Sequence, residues 1–369
     1  MAEALAGASS ILPLFAISSV ISICFFLAAP TLLSRMGNSL FFFILGALQA
    51  GSLLLLAINP DPITSTLALV IHMASLGPLG FALDLFLERA TDEFPTVGSV
   101  RGAFLTAGNM ALVISPIIAG FILEIHSFSF MYGLTLFVFC FFFLISLPML
   151  EHYKDPVYSG ISLRGIKKAL TGSLSSVMYC QLILRIFFSW MAILLPLYLH
   201  QSLGFAWQEV GIILTCSLLP FVVFEAPVGF LIDRFFIVRP TVLCGFLILG
   251  GATALLAMQN TPTILLVISL LFISRIGAAM IEIGTEAYFF KQVQAKEEDA
   301  IMIFRIVQPF GYLCGTAIAS ALLLFMNLND AFMLFGIAMI AGAVCSLHLR
   351  STTVQETISP LCRGSNLRC

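Results

Sequence analysis

Eleven apolar stretches of about 20 residues or more run through this chain, separated by short polar joints. They cover residues 10–34, 39–58, 64–87, 102–125, 128–150, 174–200, 208–232, 240–258, 262–290, 300–326 and 330–349. A helix needs roughly 20 apolar residues to cross the hydrocarbon core of a bilayer. A transmembrane β-barrel would show strands of alternating polarity instead. The run from Phe137 to Leu147, FVFCFFFLISL, does not alternate, so the spans are expected to be helices. Composition points the same way. Of 369 residues 60% are hydrophobic and 10% charged, and the mean hydropathy is +1.07. Soluble domains carry about 25% charged residues. This chain cannot clothe a water-facing surface, which excludes a soluble enzyme and a disordered protein. A net charge of -2 with no basic patch excludes a nucleic-acid binder. The fold class is an all-α polytopic membrane protein, whose first partner is the lipid bilayer.

Lysine and arginine orient the spans. With the joint after the first span on the cytoplasmic side, that side collects Arg35, Arg89, Arg101, Lys154, Arg164, Lys167, Lys168, Arg234, Arg239, Lys291, Lys296, Arg350, Arg363 and Arg368, 14 of the 17 cations. The opposite side holds none, and Arg185, Arg275 and Arg305 lie inside spans. The N-terminus is thus expected outside and the C-terminus in the cytoplasm, with the protein in the cell (inner) membrane. The nine cysteines form no CxxC pair and read as small hydrophobes in helix packing. The first apolar run has no basic segment before it and is too long for a secretory signal. No histidine pair has metal-ligand spacing, and neither a metal nor a cofactor is expected.

The chain repeats itself. Ser34-Arg35 closes the first span and Asp233-Arg234 the seventh, 199 residues on. Asp84 and Glu88 recur as Glu282 and Glu286, 198 residues on, with the same spacing of four. Internal repeats of this size build many transporters. The polar segment 151–173 divides a first bundle, 1–150 with five spans, from a second, 174–349 with six; 350–369 form a cytoplasmic tail. Shifted back by the repeat, the span 174–200 would have a counterpart lying almost wholly upstream of Met1. A truncated 6+6 protein, or a misassigned start, is the expectation; a natural 5+6 protein is the alternative.

Two six-helix halves, a basic central loop and a Gly-x-Leu-x-Asp-Arg turn resemble the major facilitator superfamily. Gly229, Leu231, Asp233 and Arg234 match that turn, with Arg239 as a trailing basic residue and Phe236 where a later glycine is usual. In the first half Arg35 and Gly37 remain, while Pro30 and Ser34 replace the glycine and the acid. The segment RIGAAMIEIGTEAYFFK and the LDLFLE…RG…N…SP pattern look like a bacterial branch of that superfamily. The resemblance implies a two-bundle fold, here with 11 transmembrane helices lacking the first. It also implies secondary active transport of a small solute by alternating access, without ATP.

Charge at membrane depth needs a reason, because it costs roughly 2.5–3.5 kcal/mol near the centre. Arg275, Glu282 and Glu286 fall within about 40° of one helix face. With Arg185 and Glu225 they offer candidate substrate or proton sites; the alternative for each is a structural ion pair. Buried acids make H⁺ the expected coupling ion, with Na⁺ as the other choice. Arg35, Asp84, Glu88, Gly229, Asp233, Arg234, Glu286 and Arg305 are candidates for a cytoplasmic gate, Arg35 meeting Glu88 and Arg234 meeting Glu286. Helix-end capping, and snorkelling of Arg305 to the surface, are the plainer readings. Pro227 is placed to kink its span beside Glu225. Gly102, Pro116 and Gly120 match the Gly/Pro spacing of drug antiporters, which tilts toward export, whereas Gly311 and Gly315 read as a packing face. No nucleophile and base assemble, so no enzyme is expected. The competing function is a non-transporting sensor or scaffold, and the protein is expected to be a monomer. If Arg234 and Glu286 pair, reversing either charge alone should abolish solute flux and exchanging the two should restore it; no restoration in a flux assay removes the pairing.

Overall fold

The computed structural model describes residues 8–59, 61–92, 97–150, 155, 174–235, 237–259, 262–292 and 298–349. Hydrocarbon offers the backbone no hydrogen-bond partners, so each apolar run satisfies its own amides by coiling into a helix. In order these are α1 (Ala8–Ile58), α2 (Pro62–Asp92), α3 (Val97–Ile125), α4 (Phe128–Leu150), α5 (Ser175–Leu197), α6 (Trp207–Val223), α7 (Glu225–Phe235), α8 (Val238–Ala257), α9 (Ile264–Gln292), α10 (Glu298–Leu323) and α11 (Leu328–Leu347). One wider π turn, Tyr198–Ser202, prolongs α5.

Apolar length alone makes nine described helices long enough to cross a membrane, rather than the eleven spans expected. Two differences account for this. The expected spans 10–34 and 39–58 are joined in α1, and of 102–125, which lies within the 29-residue helix α3, the residues from Met110 to Ile125 are those described throughout. The 51 residues of α1 would reach about 77 Å if straight, far beyond a core of roughly 30 Å. The backbone turns at Gly37, where φ is 74° and ψ 165°, a conformation that a β-carbon disfavours. The segment between the halves holds this turn. Asn38 donates its backbone N–H to Asp155 Oδ1 at 2.7 Å, and a β-carbon at Gly37 would run into the same carboxylate. The Asn38 side-chain amide donates to the Ala82 carbonyl of α2 at 3.0 Å, so three parts of the chain meet here.

The expected span 208–232 is also two helices. It breaks at Phe224, one turn before Pro227, the residue whose ring removes a backbone donor.

The largest core lies in the second half. Trp190 stacks on Phe335 with ring centroids 4.1 Å apart, Phe187 and Phe332 pack beside them, and all four are buried. Leu12 and Phe15, from the first half of α1, join this core from the other bundle.

Among the described residues the halves meet chiefly through two helix pairs, α1 with α10 and α3 with α6, with a smaller contact of α1 with α5. The repeat offset carries one pair onto the other, so the halves meet through symmetry-related contacts. At the α3–α6 crossing the backbones touch. A β-carbon on Gly120 would sit 2.8 Å from the Trp207 carbonyl, and one on Gly211 2.7 Å from that of Pro116. The antiporter-like Pro116 and Gly120 thus act in close helix approach. α3 packs chiefly on α6 rather than on its own half. Gly211→Leu should therefore lower the unfolding temperature of the purified protein, by an overpacking cost of about 1–3 kcal/mol. Gly51→Leu, at an exposed glycine with open space around it, should leave it unchanged. Equal effects in a detergent thermal melt would refute the crossing.

Candidate functional site

Charged residues of the second bundle meet where α5, α9 and α10 come together. Arg185 lies ten residues beyond the start of α5, about 15 Å into the span. Its Nη2 is 3.1 Å from Glu282 Oε1 on α9, and the two side chains are 17% and 20% exposed. Glycine makes the approach of α10 feasible. A β-carbon at Gly311 would collide with the side chain of Arg185, and one at Gly315 with Ser189. Residues four apart on α10 thereby nest against residues four apart on α5. Trp190 fastens the joint, its indole N–H donating to the Gly315 carbonyl at 2.9 Å. The Gly311/Gly315 face is therefore what seats Arg185.

Arg275, two turns from Glu282 on α9, is 3% exposed. Its guanidinium lies 5.1 Å from the centre of the Phe187 ring, and that of Arg185 lies 5.4 Å from Phe188. Nε and Nη1 of Arg275 have no hydrogen-bond partner among the described residues. A desolvated cation–π contact is worth about 2 kcal/mol, whereas burying an unpaired ion costs several. The ring therefore does not balance the charge. Tyr312, next to Gly311, stands within electrostatic reach of Arg185, Arg275 and Glu282. Gln181, one turn from Arg185 on α5, is 1% exposed, and neither of its side-chain polar atoms has a partner among the described residues.

Of the expected stripe on α9, Arg275 and Glu282 thus face α5 and α10 while Glu286 is exposed. Arg35 is exposed beside the Gly37 turn. Arg234 is exposed, its guanidinium 5.9 Å from the Phe230 ring. Gly229 packs on Ile283 of α9, and Arg305 lies in the second turn of α10. The side chains of Asp84, Glu88, Glu225 and Asp233, and the surroundings of Gly102, lie outside the described residues, as does the linker apart from Asp155.

Sequence reading passed over Gln181 and Tyr312, although a glutamine one turn from an intramembrane arginine is a usable signal. It also set His72 aside. His72 Nδ1 is 2.9 Å from Gln49 Nε2, Ser75 Oγ donates to Gln49 Oε1 at 2.6 Å, and the Tyr132 ring meets the imidazole edge-on at 6.2 Å. These groups satisfy one another between the second span of α1 and α2, whereas the second-half cluster is left open. Among the described residues no group of three His, Cys, Asp or Glu could hold a metal ion.

The sequence signature of the major facilitator superfamily matches residues 177–362, half of the chain, including every member of this cluster. The chain belongs to the major facilitator superfamily. Among solved structures, the crystal structure of the nucleoside transporter NupG superposes with a TM-score of 0.70 at 14% identity, covering 93% of this chain and 90% of that one. The crystal structure of an aspartate-to-alanine variant of NupG superposes equally, over 93% and 91% of the two chains. At this identity the likeness is one of fold. No curated protein matches the chain.

For a major facilitator protein, one charge pair between two helices of the same bundle is a specific object to probe. Arg185→Met leaves Glu282 without its counter-charge and should cost about 2 kcal/mol, less than the 3–5 kcal/mol of a fully buried pair. The double variant Arg185→Met/Glu282→Gln should recover most of that loss. Additive losses in a thermal melt would show that the two side chains are not coupled.

Proposed function

We propose that the chain is a secondary active transporter that moves a small solute by alternating access, with H⁺ as the coupling ion and Glu282 as the group that carries it. Family membership supports transport. The single observation that carries the coupling reading is the Arg185–Glu282 ion pair, which joins two helices at mid-span. Protonation of Glu282 would remove its charge, release Arg185 and loosen α5 from α9. A pair that forms and breaks between packed helices is a bistable element of the kind a rocking bundle requires. In this reading residues 1–150 and 174–349 are the moving bundles, 151–173 the cytoplasmic linker and 350–369 the tail. The protein sits in the cell membrane with its N-terminus outside. The Pro116–Gly120 crossing on α6 is the rocking surface, and export is the direction it favours. NupG transports nucleosides, which makes uridine the first neutral solute to test.

The test uses proteoliposomes holding a trapped pH-sensitive dye, an imposed proton gradient and a panel that includes uridine and benzoate. A solute-dependent proton flux is expected. Glu282→Gln should reduce it at least about tenfold, corresponding to 1.4 kcal/mol or more on the barrier. Flux unaffected by that substitution removes Glu282 from coupling. No flux with any solute in either direction favours the competing reading, a transporter-like sensor or scaffold.

A further inference from the structure

We propose that Arg275 anchors the oxyanion of a small organic solute, a carboxylate or phosphate monoester carried on an apolar body, so that the transported substrate class is anionic. The inference rests on the transport reading above and adds the charge of the cargo. Charge arithmetic carries it. Arg185 and Glu282 compensate each other at 3.1 Å. Among the described residues Arg275 is then a surplus cation, 3% exposed, with Nε and Nη1 unpartnered. Buried guanidinium groups are otherwise paired with carboxylates or phosphates, which their N–H groups recognise geometrically. Gln181 is a separate buried side chain whose donor and acceptor have no partner among the described residues; it lies six residues, about 9 Å along the helix, from the Phe187 that Arg275 faces. The His72–Gln49–Ser75 set in the first half is closed, and of the buried side-chain atoms without a partner among the described residues only those of Arg275 carry a charge. The chemistry of the walls sets the rest of the ligand. Phe187 under Arg275 belongs to the buried core, so the apolar surface beside the charges is the half-buried Phe188 ring under Arg185, which suits an aromatic or aliphatic body and not a bare inorganic ion.

The purified full-length protein in detergent provides the test, by thermal unfolding against sodium benzoate, phenyl phosphate, inorganic phosphate and uridine at matched ionic strength. Benzoate or phenyl phosphate should raise the unfolding temperature saturably, the more effective of the two identifying the headgroup, while inorganic phosphate and uridine leave it unchanged. Arg275→Leu should remove the ligand-induced shift and also raise the unfolding temperature of the ligand-free protein, because it deletes an uncompensated buried charge. Arg275→Lys should keep part of the shift with at least about tenfold weaker binding, since the charge remains but the planar fork is lost. No shift with either organic anion overturns the proposal, as does a shift that survives Arg275→Leu. So does a ligand-free Arg275→Leu protein that melts lower or fails to fold, which would make Arg275 a structural cation. Binding is read here without a membrane or a gradient. Anion binding without flux therefore fails the transport reading alone, and gradient-driven uridine flux without anion binding fails this inference alone.

Discussion

The absence of water in the hydrocarbon core governs every feature of this protein. Backbone amides there have only one another, so each apolar run becomes a helix and irregular backbone is confined to joints such as Gly37. The same constraint removes the hydrophobic drive between helices, since lipid is as apolar as leucine. Helices then associate where backbones can touch. Gly120 against Gly211 joins the two halves, and Gly311 and Gly315 seat α10 on α5. The glycines are the points on which this architecture is pinned.

Polar side chains answer to the same rule. In the first half His72, Gln49 and Ser75 close a hydrogen-bonded set between neighbouring helices, although Asn38 Oδ1 has no partner among the described residues. In the second half Arg185 finds Glu282, while among the described residues polar atoms of Arg275 and Gln181 are buried and left open. Satisfied networks rigidify a bundle, whereas open ones are costly unless something else completes them.

The contacts between halves follow the internal repeat. α1 meets α10 and α3 meets α6, pairs related by a shift of about 198 residues. The halves share packing there: Leu12 and Phe15 of α1 enter the core of the second bundle. The Trp190, Phe187 and Phe335 stack ties α5 to α11 within the second bundle. Asp155 ties the segment between the halves to the Gly37 turn of the first. In the first half, where Ser34 stands in place of the acid of the motif, a carboxylate reaches the turn from the linker instead.

Hydropathy by itself determined that the chain is a bundle of membrane helices, because twenty apolar residues in a row admit almost no other structure in lipid. Spacing determined the internal repeat, and with the Asp233–Arg234 turn it disclosed the superfamily. Single charges inside spans marked Arg185, Arg275 and Glu282 as residues with something to do. Their relation was not legible. Arg185 and Glu282 are about a hundred residues apart, and no periodicity along one helix reveals which side chain faces it from another. The stripe on α9 predicted that Arg275 and Glu282 share a face, yet only packing decided that Glu282 meets Arg185 while Arg275 has no carboxylate partner among the described residues. Packing also decided that α1 runs through two spans with a turn at Gly37, because the conformation of one glycine depends on the Asp155 carboxylate beside it. Periodicity is a local property of the chain and survives in its sequence, whereas charge compensation is a property of three-dimensional neighbours and arises only when the helices meet.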